Sequence, residues 1–353
     1  MLKRFGVARV LAASAIAAFA IVALGVVAAA QPAPAKVTPE LIAAAEAEGK
    51  LVFYTAFDVQ VAEMLAKAFE AKYPKIKVQA QRSGAERIYQ RLEQELTSNI
   101  HVADVVDTTD ATHFLVWKRK GTLAAYVPED VAKWPKAQRD ADGYFATNRA
   151  TLSAVGYNSK LFKDEDAPKS YADLLEPRFK GKIVKAHPGY SGNVMTATFI
   201  LSRALGWSYF EKLGQQKVLQ VQSSTEPPKK LALGERPVMV DGNEYNTIIE
   251  IKKGAPIKLV YMAEGTPLMA GNAAILSKAP HPNAAKLFVN FLYSREIQQL
   301  LVDEAGIRSF HPDAKEPDGR VPLSSIKLLT CDPDELEKAI EEIKLKYAQY
   351  FGI

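Results

Sequence analysis

The sequence is poor in residues and motifs that cross-link a chain or carry out chemistry. It has one cysteine, Cys331, in 353 residues, so no disulfide can form within the chain and no cysteine-rich metal site is available. It contains no Gly-x-Ser-x-Gly nucleophile motif, no His-Glu-x-x-His metal motif and no P-loop. An exported enzyme therefore stays an alternative only because folds are reused for different functions.

A strong charge of one sign is also missing. The formal net charge is +5, and Lys3, Arg4 and Arg9 account for three positive charges, which leaves 5 − 3 = +2 for the chain after residue 30. No cluster of basic residues is interleaved with aromatic ones, so nucleic acid is not expected as a partner. No second apolar run is long enough to cross a membrane.

The first thirty residues have the pattern of a secretory signal peptide. The basic residues Lys3, Arg4 and Arg9 precede an Ala/Val/Ile-rich run from 10 to 30, and small residues follow it. This order predicts export to the periplasm, with cleavage after Ala30 or Ala35. The run could also span a bilayer, so an uncleaved membrane anchor is the alternative.

Beyond this segment, strand and helix patterns alternate. Apolar strand patterns at 51–55, 76–80 and 103–107 each precede a helical pattern, which predicts a parallel sheet covered by helices. The strand pattern at 152–158 leaves this first group of strands and helices, and the strand pattern at 272–276 returns to it. We therefore predict an α/β protein with two lobes and a hinge of crossing strands. The first lobe would take residues 36–152 and about 270–310, and the second 153–269 and about 311–353.

The candidate binding residues lie where strands end and helices begin, because ligands of such sheets sit at the carboxyl ends of the strands. Two Ser-Gly pairs start helices, namely Ser83-Gly84 and Ser191-Gly192. Exposed backbone N–H groups at helix starts attract oxyanions. Arg82 and Arg87 flank the first pair. An ordinary helix cap is the alternative for each pair. Arg149 could reach an anion between the lobes, with a surface salt bridge as the alternative. His113 could line the crevice, with a packed or solvated side chain as the alternative. The predicted ligand-binding residues are Thr55, Asp58, Ser83, Gly84, Arg87, Thr109, Arg149, Ser191, Gly192, Asn193 and Tyr245.

Several segments together carry a resemblance to a known family. They are Leu51 to Thr55, Ala103 to Val106, Val155 to Asn158, Pro188 to Asn193, Gly271 to Ser277 and the helix pattern from Pro282 to Leu292. In this order the chain resembles the periplasmic solute-binding proteins of ABC importers, type II fold (family 1 extracellular solute-binding), in the branch that contains ferric-ion-binding proteins. The resemblance implies two lobes that close on a solute and a monomer that delivers it, chemically unchanged, to a membrane permease. Delivery to a sensor instead of a permease stays open.

The resemblance leaves the solute open between two classes. Iron-binding relatives usually carry two adjacent tyrosines where this chain has Glu244 and Tyr245. A ferric site of Asp58, Asp110, Glu244 and Tyr245 remains chemically possible, since all four are oxygen donors. The sequence favours a small oxyanionic solute (a phosphonate, organic phosphate or carboxylate), with ferric iron as the alternative transported ligand. We expect no resident cofactor.

Overall fold

The structure is a computed structural model that describes residues 32–352. The predicted signal peptide, residues 1–30, lies outside this range. The strands are β1 (Lys50–Thr55), β2 (Lys77–Arg82), β3 (Val105–Thr108), β4 (Leu123–Ala124), β5 (Ala146–Asn158), β6 (Ile183–Ala186), β7 (Leu219–Val221), β8 (Val238–Asn243), β9 (Ile257–Val260), β10 (Thr266–Leu276) and β11 (Leu328–Leu329). The helices are α1 (Pro39–Glu48), α2 (Val59–Lys72), α3 (Ala85–Thr97), α4 (Ala111–Arg119), α5 (Gly192–Leu205), α6 (Trp207–Gly214), α7 (Glu226–Ala232), α8 (Glu244–Lys252), α9 (Pro282–Tyr293), α10 (Arg295–Ala305) and α11 (Pro333–Phe351).

The strands pair in the order β2-β1-β3-β10-β5-β8-β6-β7. The first half is built on β1, which is parallel to both β2 and β3. The second half is built on β6, which is parallel to both β7 and β8. Between them, β10 is antiparallel to β3 and β5, and β5 is antiparallel to β8. The sheet is therefore mixed, because the two connecting strands run against their neighbours.

Two strands, β5 and β10, pass from one half to the other. Residues Ala146 to Leu152 of β5 pair with β10, and Ser153 to Tyr157 pair with β8. The far end of β10, Asn272 to Ile275, pairs with β3 of the first half. The prediction of an α/β protein with crossing strands is confirmed. The bounds of the lobes at single residues stay a prediction.

Each half has an apolar core of its own. In the first, the ring of Phe53 on β1 lies 4.9 Å from that of Phe288 on α9, and Phe69 on α2 packs edge-on to Phe288 at 5.2 Å. In the second, Leu201 and Phe210 pack in a cluster with Val238 and other buried residues. Separate cores let each half act as a rigid body, which is what closure about crossing strands requires. We call the halves lobe 1 and lobe 2.

Local sequence explains where the first helices begin. Thr38 caps α1 by accepting a hydrogen bond from the N–H of Leu41 at 3.2 Å, and Gly49 ends the helix in a left-handed conformation.

Within residues 32–352, no helix combines the length and the apolar character needed to cross a bilayer.

Candidate functional site

The candidate site is the cleft between the lobes, where the ends of β1, β2 and β3 face the starts of α5 and α8. The two predicted Ser-Gly pairs meet here. A Cβ atom at Gly84 would lie 2.6 Å from the carbonyl oxygen of Tyr190, and one at Gly192 would lie 2.8 Å from Cβ of Asp110. Only glycine permits such close approach. The structure thus brings the two Ser-Gly segments together in a closed cleft.

The lobe 2 wall is formed by helix starts that lack side-chain caps. Neither the side chain of Ser191 before α5 nor that of Asn243 before α8 accepts a hydrogen bond from a backbone N–H group of its own helix. Instead, the Ser191 hydroxyl donates to Oγ of Ser224 at 3.2 Å, and Nδ2 of Asn193 donates to Oδ1 of Asn243 at 2.8 Å. The backbone N–H groups of both first turns are left for another acceptor. Ser224 and Asn243 were not among the predicted residues.

The lobe 1 wall differs, because two of its helix starts are capped by carboxylates. Oδ1 of Asp58 accepts from the N–H of Gln60 at 3.1 Å, and Oδ1 of Asp110 accepts from the N–H of Thr112 at 2.9 Å. Oδ2 of Asp58 crosses the cleft, where Nδ2 of Asn246 donates to it at 3.3 Å. The ammonium of Lys229 lies 3.5 Å from the same oxygen. Asp58 is therefore a buried acceptor that both lobes contact.

Positive charge enters the cleft from Arg82, at the end of β2. Its Nε donates to the carbonyl oxygen of Phe57 at 3.2 Å, and its Nη2 donates to Oγ of Ser223 in lobe 2 at 3.0 Å. Arg87 is more exposed and donates to Oε1 of Gln222 at 2.6 Å. Arg82 was omitted from the predicted ligand set but is better placed than Arg87, which was included. The position of Arg82 next to Ser83, at the end of a strand, could have indicated this.

Thr55 and Arg149 belong to a buried network beneath the cleft. Nη1 and Nη2 of Arg149 donate to the two carboxylate oxygens of Asp107 at 2.5 and 3.1 Å, and the Thr55 hydroxyl donates to the same group at 2.9 Å. The Arg149 guanidinium lies 3.7 Å from the centre of the Phe57 ring. Arg149 is only 1% exposed. The alternative of a surface salt bridge is thus wrong. Both terminal nitrogens of Arg149 donate to Asp107, while its buried Nε has no hydrogen-bond partner among the described residues. The predicted role of Arg149 as an anion ligand stays a prediction.

The adjacent residues Glu244 and Tyr245 point to different partners. Both oxygens of Glu244 accept hydrogen bonds from Arg308 at 2.8 Å, and Arg320 adds a third at 2.9 Å. Burial raises the pKa of Glu244, but the two arginines outweigh it and hold that pKa below its usual value. The Tyr245 hydroxyl accepts from the N–H of Asp58 at 3.3 Å. Burial raises the pKa of Tyr245 to about 12, so the phenol is protonated at neutral pH.

The predicted ferric set does not assemble. Across residues 32–352, Asp58, Asp110 and Glu244 do not bring one ligand atom each within 4.8 Å of one another. The physical reason is that Arg308 and Arg320 hold Glu244 while Asp110 is turned toward His113. Tyr245 remains beside Asp58 but has no second anionic neighbour of the predicted kind.

A cavity of about 310 Å³ opens beside Thr109, with Thr196 of α5 and Cys331 also in its lining. It borders Leu268 to Ala270 of β10, between the stretches of that strand that pair with β11 and β3. Burial raises the pKa of the Cys331 thiol to about 12, which keeps it protonated and unreactive. Thr109 is therefore placed next to open space rather than in the Asp107 network.

Comparison with known proteins agrees with this architecture. A family model described as "Bacterial extracellular solute-binding protein" matches residues 58–299, more than half of the chain. A protein of Salmonella typhimurium named for periplasmic binding of 2-aminoethylphosphonate is 27% identical over 224 residues, which are 60% of this chain and 63% of that protein.

Two solved structures share the fold while holding different ligands. The periplasmic binding protein AfuA from Actinobacillus pleuropneumoniae, with fructose-6-phosphate bound, has a TM-score of 0.78 at 24% identity and covers 86% of this chain and 99% of its own. Iron-bound HitA from Pseudomonas aeruginosa has a TM-score of 0.73 at 21% identity and covers 85% and 99%. At these identities the likeness establishes the fold, so the choice of solute must come from the residues of the cleft.

Proposed function

Because this chain belongs to the bacterial extracellular solute-binding protein family, we propose that it captures a small phosphonate or organic phosphate between its lobes. It is the periplasmic substrate-binding component of an ABC importer, a class that binds small ligands and works with a membrane permease. We further propose that it acts as a monomer, with its own permease rather than a sensor as the partner. The solute is released unchanged, in keeping with a family of binding proteins.

One observation carries the choice of an oxyanion: the helix starts of the lobe 2 wall lack side-chain caps. The N–H groups at the starts of α5 and α8 and the positive ends of their dipoles favour a bound anion. The hydroxyls of Ser191 and Ser224 are buried between them. Arg82 reaches this wall through Ser223 and supplies the charge partner. Together these groups are suited to the three oxygens of a phosphonate or phosphate.

The opposite wall favours a solute that also carries a hydrogen-bond donor. Asp58 is 4% exposed and ends in an oxygen that Asn246 and Lys229 contact only loosely, at 3.3 and 3.5 Å. An ammonium or hydroxyl group of the solute would be a stronger partner for this carboxylate. 2-Aminoethylphosphonate and fructose-6-phosphate each combine such a group with an oxyanion.

Ferric iron is less well supported by the same residues. Glu244 occupies the place of one tyrosine of the iron-binding pattern, and Arg308 and Arg320 hold its carboxylate. Tyr245 would have to lose a proton against a pKa of about 12 before it could act as a phenolate ligand. The remaining oxygen donors do not gather around one point. Iron is therefore an outcome to be tested rather than a second proposal.

A thermal-shift screen of the processed protein, stripped of metal, tests the proposal. The panel contains 2-aminoethylphosphonate, fructose-6-phosphate, inorganic phosphate, ferric citrate and citrate alone. A ligand at a hundred times its dissociation constant stabilises the folded state by about 2.7 kcal/mol, so a true solute raises the melting temperature measurably. We expect one of the first two compounds to do so, and titration calorimetry then gives its affinity.

The outcomes separate the candidates. A shift with ferric citrate and none with citrate or the phosphorus compounds would replace the proposal with iron transport. A panel without any shift would also overturn it. Mass spectrometry of the bound compound after release checks that it is returned unchanged; a modified product would instead indicate an exported enzyme.

A further inference from the structure

We infer that this protein also holds one divalent metal ion of the zinc type, bound by Glu86, Asp110 and His113 at the starts of α3 and α4. Within the described chain, these three residues form a group that brings one ligand atom each within 4.8 Å of one another. The proposed solute contacts on the lobe 2 wall are not part of it. The inference therefore does not rest on the identity of the solute.

The distances between the donors suit a tetrahedral ion. Nε2 of His113 lies 3.1 Å from Oε1 of Glu86 and 3.8 Å from Oδ2 of Asp110. Donors bound to one tetrahedral zinc ion at about 2.0–2.1 Å stand about 3.3 Å apart. A metal ion can therefore enter among the three atoms with small side-chain rotations, and a water molecule would take the fourth position.

Asp110 supplies an observation independent of this spacing. Its side chain is completely buried, and only Oδ1 is used, as the cap of α4. Oδ2 has no hydrogen-bond partner and is directed toward His113. A buried carboxylate oxygen without a partner destabilises the fold, because it has lost its hydrogen bonds to water. A metal ion bound at this oxygen would remove that cost.

The donor residues are held in place before any ion arrives. The His113 ring stacks on Tyr89 with centroids 4.4 Å apart and an interplanar angle of 19°, and Trp117 lies 5.6 Å away on the same helix. Asp110 is fixed by its capping bonds. Glu86 is the outermost ligand, with 13% of its side chain exposed, and so marks the path by which an ion would enter.

The donor set selects the class of metal. One imidazole nitrogen and two carboxylate oxygens suit zinc and its neighbours, whereas calcium and magnesium favour oxygen ligands at higher coordination numbers. An ion here would also stiffen the residue on which lobe 2 rests, because Asp110 is in close contact with Gly192. The site would thus brace the lobe 1 side of the closed cleft.

Calorimetric titration of zinc chloride into the chelator-treated, processed protein tests the site. We expect one zinc ion per chain, and at least tenfold weaker binding in both His113→Gln and Glu86→Gln. His281→Gln is the matched control, because His281 also pairs with a buried carboxylate, that of Asp104 at 2.9 Å, but in a pair without a third ligand. Magnesium chloride is the control for charge alone.

Absence of zinc binding by the unmodified protein would overturn the inference, as would equal binding by Glu86→Gln. Glu86 lies at the partly exposed edge of the group, so its variant keeps the test valid if His113→Gln folds poorly, which a melting curve reveals. Arg82→Gln should bind zinc like the unmodified protein. Failure of this inference thus leaves the proposed solute site untouched, and the reverse also holds.

Discussion

The two walls of the cleft differ in how most of their helices begin. On the lobe 1 wall, carboxylates of Asp58 and Asp110 cap α2 and α4, each accepting from one first-turn N–H group. The third helix of this wall, α3, has no side-chain cap after Gly84 but carries Glu86 in its first turn. On the lobe 2 wall, α5 and α8 begin without a side-chain cap. A helix start capped by its own carboxylate has few free N–H groups for an external anion, whereas an uncapped helix start leaves them free. This difference supports the proposal that lobe 2 binds the oxyanion and lobe 1 the donor end of the solute.

The largest expected effect concerns Glu244, a carboxylate of the lobe 2 wall. Glu244 lies in the first turn of α8, and Arg308 and Arg320 both donate hydrogen bonds to its carboxylate. Glu244→Gln removes the buried counter-charge of Arg308 and Arg320 and leaves them only the partly exposed Glu316. We expect unfolding to become easier by about 3 kcal/mol. Urea denaturation measures this.

Glu341→Gln is the control for Glu244→Gln, since Glu341 is 86% exposed and its ion pair with Lys344 should contribute little. Equal stability of the two variants would mean that the ion pairs of Glu244 contribute little to the free energy of unfolding.

The arginines beside the Ser-Gly pair sharpen the contrast between the walls. Arg82→Gln removes a half-buried charge that reaches lobe 2, and we expect solute affinity to fall by about 1.5–3 kcal/mol, the usual worth of a charged hydrogen bond. Arg87→Gln changes an exposed side chain and should weaken binding much less. Calorimetry with the compound identified by the screen compares them. Equal losses would remove Arg82 from its assigned place.

Closure of the walls on each other can be broken at one atom. In Gly84→Ala the new methyl group would meet the carbonyl oxygen of Tyr190 at 2.6 Å, a backbone atom that cannot rotate away. We expect the lobes to close incompletely and affinity to fall by about 1–3 kcal/mol, the range of an overpacked contact. The melting temperature without solute should stay near that of the unmodified protein. Unchanged affinity would show that the solute is held in a more open cleft.

The smallest effect is expected at Tyr245. Tyr245→Phe removes the acceptor for the N–H of Asp58, and a loss of about 0.5–1.5 kcal/mol in solute affinity follows. Abolished binding of ferric iron by this variant, together with a visible absorption band in the unmodified protein, would instead identify a phenolate ligand. Tyr190→Phe, at an exposed position, serves as the control.

The fold was largely predictable wherever local chemistry decides structure. Cap, period and breaker residues indicated α1 and the helix of 85–97, and apolar runs indicated the central strands. The segment from Trp207 to Ala232 was not predicted, since α6 and α7 are short and α7 opens with Pro227 and Pro228, which are typical of breaks. The early part of β10, from Thr266, contains Pro267 and Gly271, which are typical of breaks, and it is a strand because β5 pairs with it.

The site was predictable only in part, for a related reason. Strand ends and helix starts located the Ser-Gly pairs. The partner of a charged residue is decided by the completed fold: Arg149 meets Asp107, 42 residues away, and Glu244 meets Arg308, 64 residues away. Local pattern holds no information on such pairs. His113 was interpreted as packed or solvated, because neither Glu86 nor Asp110 could be placed beside it from spacing.

The two crossing strands have a mechanical consequence. The register shifts between Gly271 and Asn272 where β10 pairs with β5, and between Ala154 and Gly156 where β5 pairs with β8. Such irregularities concentrate bending and twist. We therefore expect β5 and β10 to bend at these two points while the regular parts of both strands stay straight. Opening then follows one arc and leaves the hydrogen-bonded pairs on either side intact. Hinge bending at these two points would therefore leave the apolar cores of both lobes unchanged.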